Sequence, residues 1–255
     1  MEILTSEDLR MIDPIEFADE VISEREILKW FEACDAVWIH DGRGGSPHAE
    51  LTSGKCSNGY FNCSNVLKYP NLTEILAQQL YLEIGVRLRK TDLLDKIDYV
   101  IGSPYAGITY SYELAKAFGA VHGFTEKDPQ SGNKKAMKWK RDSIPEGATV
   151  LQVEELVTTS GTFQEVRKAV RRDNKNDVNF LPFVATLIHR PVKLPTLYPI
   201  EDNGEKTEIE IISLINKEIW AVDQEDCPLC KKGGSERLRP KENWFKLTNK
   251  IPGLF

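Results

Sequence analysis

Residues 150–162, VLQVEELVTTSGT, concentrate the groups most able to do chemistry. An apolar run ends in two adjacent carboxylates, Glu154 and Glu155, followed by Thr158, Thr159, Ser160, Gly161 and Thr162. Beyond the turn, Phe163, Val166, Ala169 and Val170 recur at helical spacing. The pattern predicts a strand, a turn and a helix N-terminus. Backbone N–H groups at such a terminus are unpaired and carry the positive end of the helix dipole. With hydroxyl donors beside them they can cradle a phosphate, and Gly161 lets the backbone approach it closely. The acids cannot bind phosphate, but they can bind ribose hydroxyls or a magnesium ion. A strand running into an ordinary Ser/Thr-capped helix would share the turn. It would not explain two adjacent carboxylates at a buried strand end, which are costly without a ligand or cation. Other phosphate loops do not fit, since the chain has neither G-x-G-x-x-G after a strand nor G-x-x-x-x-G-K-[ST].

Three further segments bear on the ligand: residues 51–62 (LTSGKCSNGYFN), 100–108 (VIGSPYAGI) and 187–190 (LIHR). Together with residues 150–162 they resemble, in order and spacing, the type I phosphoribosyltransferases, and most nearly orotate phosphoribosyltransferase. The resemblance spans about residues 45–190. It implies an α/β fold: a parallel sheet flanked by helices, with a hood and a C-terminal extension. It implies phosphoribosyl diphosphate and a nitrogenous base as ligands, magnesium as cofactor, and a homodimer. Carried over by position, Thr158, Thr159, Ser160, Gly161 and Thr162 would hold the 5′-phosphate, and Glu154 and Glu155 the ribose. Tyr105, Ala106 and Gly107 would meet pyrophosphate. Tyr60 and Phe61 would flank the base, with Thr52 near it and Arg190 on its carboxylate or carbonyl. Tyr60 and Phe61 could equally be core aromatics, and Arg190, before Pro191, a solvated strand end.

The sequence departs from the family pattern at several positions. Glu155 stands where Asp is usual, and Ala106 where the pyrophosphate loop usually has Lys. The mobile catalytic loop usually begins Arg-Lys-Glu and continues with Lys and His; here residues 125–130 read TEKDPQ. Lys127 is retained as the expected loop cation, Glu126 takes the arginine position, and the histidine is missing. Lys134, Lys135 or Lys138 could substitute, or could be solvated charges. These departures leave two functions open: a transferase acting on orotate or a related base, or a catalytically weak relative that binds phosphoribosyl diphosphate or nucleotide as a regulator.

The elements needed to position these residues follow from periodicity. Apolar spacing predicts an amphipathic helix over residues 14–34, and a second whose inward face includes Leu72, Ile75, Leu76, Leu80 and Ile84, capped by Asn71. Strands are expected at 98–102, 120–124, 150–154 and 180–188, with helices at 107–118 and 163–172, the first ended by Gly119. Residues 126–147 read as a long polar loop with a hairpin. Alternating strands and helices imply a parallel sheet. Residues 1–200 are expected to form the main domain. Residues 201–255 are the extension, with strands at 209–215 and 218–222.

Hydrophobic residues make up 41% of the 255 and charged ones 28%, ordinary for a globular enzyme. A formal charge of −6 argues against nucleic acid as a partner, and no apolar run suits a membrane. An odd count of five cysteines and a polar N-terminus suggest the cytoplasm. Cys227-x-x-Cys230 has the spacing of half a zinc knuckle. Cys34, Cys56, Cys63, His40, His48, His122 or His189 could complete it only through tertiary contact, or another subunit could. The pair could also be simple turn cysteines.

Overall fold

A computed structural model describes residues 4–89, 96–133, 135–233 and 235–249; Lys134 lies outside the described residues. The strands are β1 (Val37–Ile39), β2 (His48–Glu50), β3 (Cys56–Ser57), β4 (Gly59–Phe61), β5 (Tyr99–Gly102), β6 (Val121–Phe124), β7 (Glu126–Lys127), β8 (Met137–Lys138), β9 (Thr149–Val157), β10 (Asn179–His189), β11 (Tyr198–Asp202), β12 (Glu205–Asn216), β13 (Ala221–Val222) and β14 (Arg237–Leu238). The helices are α1 (Ser6–Arg10), α2 (Glu24–Ala33), α3 (Ser64–Leu67), α4 (Pro70–Leu88), α5 (Ala106–Phe118), α6 (Gly161–Asp173), α7 (Pro228–Lys231) and α8 (Trp244–Thr248). None of the described helices is long and apolar enough to cross a membrane.

The central sheet runs β11-β12-β10-β9-β5-β6. Its five strands from β12 to β6 are mutually parallel, and β11 closes the edge antiparallel to β12. Strand alternation sends neighbouring residues to opposite faces. Val100, Leu151 and Val153 pack with α4 and α5, while Tyr99, Ile101 and Val150 pack with α6 and with Met137 and Trp139 of the long loop. Thus the sheet is sandwiched between helices, the α/β arrangement expected. Gly119 ends α5 in the left-handed conformation at φ 64°.

Three local expectations change. The helix expected over residues 14–34 is divided into a 3-10 turn, Pro14–Phe17, and α2. Ser23 explains the break: its hydroxyl accepts the Glu26 N–H at 3.2 Å, starting a new helix and leaving Val21 81% exposed. Asn71 does not cap α4, which begins at Pro70. Its amide instead donates to the carbonyls of Leu9 and Ile12, at 2.8 and 3.0 Å, and fastens the N-terminal segment. The expected boundary at residue 200 falls inside β11. Asn203 and Gly204, at φ 54° and 81°, make the tight turn that joins β11 to β12 and adds both strands to the main sheet. Beyond β12 the chain crosses to the hood, where β13 and β14 flank β3 and β2 in a second, four-stranded sheet.

Candidate functional site

The candidate site is built on the C-terminal ends of β5, β9 and β10, where parallel α/β sheets place their ligands. Strand register decides which side chains meet. Gly102 pairs with Val153 and Thr186 with Glu154, so the residue after β5, Ser103, arrives beside the first acid. Ser103 is buried and donates its hydroxyl to the Glu154 carboxyl, which also accepts the Gln152 amide at 3.3 Å. Burial pushes the Glu154 pKa up to about 8; the Ser103 hydrogen bond opposes the rise, and the neighbouring Glu155 charge adds to it. Glu155 is raised mainly by burial as well. The Lys127 ammonium counters the rise at both carboxyls, so Lys127, Glu154 and Glu155 are brought together.

Gly107, at the start of α5, closes the other side of this group. A Cβ there would lie 3.1 Å from a Glu155 carboxylate oxygen and 3.2 Å from the Ser103 hydroxyl. The Glu155 carboxylate thus lies against the N-terminus of α5, and a Cβ at Gly107 would make it shift by a few tenths of an ångström. Ala106 opens α5, and Tyr105, joined to Pro104 by a cis peptide, stands 74% exposed before it.

The turn after β9 leads directly into α6. Ser160 occupies the cap position without a side-chain cap bond, so the first N–H groups of the helix keep no partner from that side chain. Gln164 holds the turn by donating from its side chain to the Ser160 hydroxyl at 2.5 Å. The Tyr198 hydroxyl donates to the Thr158 carbonyl at 3.2 Å, buttressing it from β11. Lys135 reaches in from the long loop: its Nζ lies 3.3 Å from the position a Gly161 Cβ would take. Of the other loop charges, Lys138 is paired with Asp128 at 2.9 Å and Glu126 with Arg141 at 2.5 Å. Lys135 therefore adds positive charge at the turn before α6, whereas Lys138 is used within the loop.

Arg190 follows β10, its N–H bonded to the Val157 carbonyl at 2.8 Å, which sets it beside Thr158. Its guanidinium is no solvated strand end. Nε and Nη1 are buried and have no hydrogen-bond partner among the described residues, and burial pulls the pKa down while Cys63 and Tyr60 act back on it. Tyr60 and Trp244 meet edge to face at 6.3 Å, so the C-terminal α8 walls this side. Phe61 is corrected. Adjacent strand residues point oppositely, and Phe61 is 5% exposed in the core against Phe31, on the face opposite Tyr60. Thr52 lies exposed on the turn between β2 and β3.

Sequence reasoning missed Ser103 and Trp244 as site residues. Ser103 was within reach of a register argument, being the hydroxyl that ends the strand before the acids. Trp244 carried no signal, because it depends on the tail folding back. Cys227 and Cys230 are brought to Cys56 and His48 at the hood, all four potential ligand atoms lying within 4.8 Å of one another.

No family model matches the chain. The orotate phosphoribosyltransferase of Pelotomaculum thermopropionicum is 34% identical over 199 residues, covering 78% of this chain and 90% of its own. That of Thermoanaerobacter sp. (strain X514) is 32% identical over 187 residues, covering 73% and 84%. Among solved structures, orotate phosphoribosyltransferase from Aeropyrum pernix is similar with a TM-score of 0.48 at 17% identity, over 73% of this chain and 91% of that one.

Proposed function

Because this chain belongs to the orotate phosphoribosyltransferase family, and so is a pentosyltransferase, we propose that it transfers ribose 5-phosphate from phosphoribosyl diphosphate to orotate, releasing pyrophosphate. The observation that carries the choice of base is Arg190. A guanidinium with two buried, unpartnered donors beside Tyr60 calls for an anionic or carbonyl-rich ligand, and a carboxylated pyrimidine provides one.

In this reading the turn of Thr158, Thr159, Ser160, Gly161 and Thr162 holds the 5′-phosphate, helped by Lys135. Glu154 and Glu155 take the ribose hydroxyls. As C1 of the ribose parts from pyrophosphate, positive charge grows on the sugar and negative charge on the leaving group. The acids face the first, and Lys127 with the N-terminus of α5 faces the second. No covalent enzyme intermediate is required; positioning and electrostatics suffice. Two buried carboxyls, both pushed up by burial with one lysine opposing, form an oxygen-donor set short of positive charge, and this fits magnesium. Glu154 and Glu155 would hold it, directly or through the ribose hydroxyls, and when bound it supplies charge neutralisation to the pyrophosphate. Family resemblance supports a homodimer in the cytoplasm.

The test is to incubate the protein with phosphoribosyl diphosphate, magnesium and a panel of bases, and to measure pyrophosphate. Orotate-dependent release is expected. Tight binding of phosphoribosyl diphosphate with no base-dependent release would favour the regulator instead, for which Ala106 and Glu126 are the motivating departures.

A further inference from the structure

We propose that His48, Cys56, Cys227 and Cys230 form a structural zinc site that clamps the C-terminal segment onto the base-side hood. The distances support a tetrahedron. With Zn–S near 2.3 Å and Zn–N near 2.0–2.1 Å, tetrahedral geometry requires S···S edges of about 3.8 Å and S···N edges of about 3.5 Å. Cys56 Sγ and Cys230 Sγ are 3.8 Å apart, and His48 Nε2 lies 3.6 Å from Cys227 Sγ and 3.4 Å from Cys230 Sγ. The Cys56–Cys230 separation is too long for a disulfide, which needs about 2.05 Å.

The surroundings prepare the ligands. Ser235 has one hydroxyl proton and donates it to the Ser46 carbonyl at 2.7 Å. Its oxygen must therefore accept from His48 Nδ1, also at 2.7 Å. That leaves His48 Nε2 unprotonated and facing the sulfurs, the tautomer a metal requires and the supporting hydrogen bond typical of metal-bound histidine. At the other end of the cluster, the Cys230 N–H donates to Cys227 Sγ at 3.5 Å, a knuckle turn that favours a thiolate. Three thiolates and a neutral imidazole leave a zinc complex with one net negative charge. Arg237, paired across the sheet with His48, stands nearby with its guanidinium ion-paired to Glu50 at 3.1 Å. His48, Cys56 and Cys227 are fully buried and Cys230 partly so, and four side-chain ligands fill a tetrahedron, so the site suits a structural rather than a catalytic metal.

Its position gives it a task. His48 and Cys56 lie on β2 and β3, which carry Thr52 on their connecting turn; Cys227 and Cys230 belong to the tail that continues through β14 to Trp244 against Tyr60. The clamp therefore holds α8 as a wall of the base pocket, a role that rests on the proposed transferase reading, whereas the metal itself does not.

Metal analysis of the untagged, reduced full chain after dialysis should find one zinc per chain. Cys56→Ser and Cys227→Ser should each retain a tenth or less, and Cys34→Ser, outside the cluster, should retain it fully. Should those variants misfold, cobalt exchange into the wild type decides: intense tetrahedral bands with sulfur-to-cobalt charge transfer are expected. A wild-type chain that neither carries nor takes up zinc, or pale octahedral cobalt, overturns the site. With zinc established, chelator-stripped protein returned to magnesium should show a several-fold higher KM for orotate than for the zinc-restored enzyme. An unchanged KM would remove the link to the base pocket while leaving the metal site standing.

Discussion

Replacing Glu154 by glutamine should abolish a pH dependence that the ligand-free protein carries. The Glu154 carboxyl is fully buried, and burial lifts its pKa from 4.5 to about 8. The unfolded chain loses this proton near 4.5, while the folded chain keeps it until about 8. Between the two values the folded state binds more protons, so stability is full below 4.5 and is lost as pH rises through about 8. At about 1.4 kcal/mol per pH unit, the loss from about pH 5 to about pH 8 is on the order of 3–4 kcal/mol. For a chain of this size that is roughly 7–14 °C in Tm. Thermal unfolding of the wild type and Glu154→Gln, followed by circular dichroism at both pH values without divalent cation or nucleotide, isolates the effect because titrations not coupled to Glu154 cancel in the difference. The variant should gain that amount on the wild type between the acidic and the alkaline measurement. Parallel Tm profiles would refute the buried protonated acid, and with it the reasoning that the pair lacks positive charge.

Arg190→Met removes charge-assisted hydrogen bonds worth about 1.5–3 kcal/mol, so the KM for orotate should rise roughly 10- to 150-fold. The ligand-free Tm should not fall, because the guanidinium leaves two buried donors unpartnered; a large drop would mean that Arg190 is structural. Gly107→Ala places a methyl 3.1 Å from the Glu155 carboxylate, and kcat/KM should fall about tenfold or more, with Tm near that of the wild type. Steady-state kinetics should separate the loop lysines: Lys127→Ala lowers kcat, whereas Lys135→Ala raises the KM for phosphoribosyl diphosphate. Unchanged turnover in Lys127→Ala would take it out of the mechanism.

The strand–turn–helix of residues 150–162 was readable because its geometry is local. An apolar run, two acids and a hydroxyl-rich turn before a helix already dictate which N–H groups go unpaired. The same holds for α5 with its Gly119 stop. Expectations went astray where one residue had two plausible uses. Asn71 could cap, but Pro70 already occupied the first helical position, and its amide was free to reach Leu9 and Ile12. Phe61 shared a motif with Tyr60, yet alternation along a strand sends the two to opposite faces, and burial of an aromatic ring favoured the core.

By itself, then, the sequence determined the strand–turn–helix that carries residues 154–162, because its geometry depends on neighbours a few positions away. Tertiary structure decided what completes the site. Ser103 meets Glu154 only through the pairing of β5 with β9, and Lys135 meets Gly161 only because the loop core of Met137 and Trp139 holds the hairpin against α6. His48 and Cys230 are separated by 182 positions, yet their ligand atoms lie 3.4 Å apart. No periodicity encodes such a meeting, because it results from sheet order and from where the tail can bury its apolar residues. The two acids were legible in the sequence; folding brought the Ser103 hydroxyl and Lys127 to them and gathered the cysteines with His48.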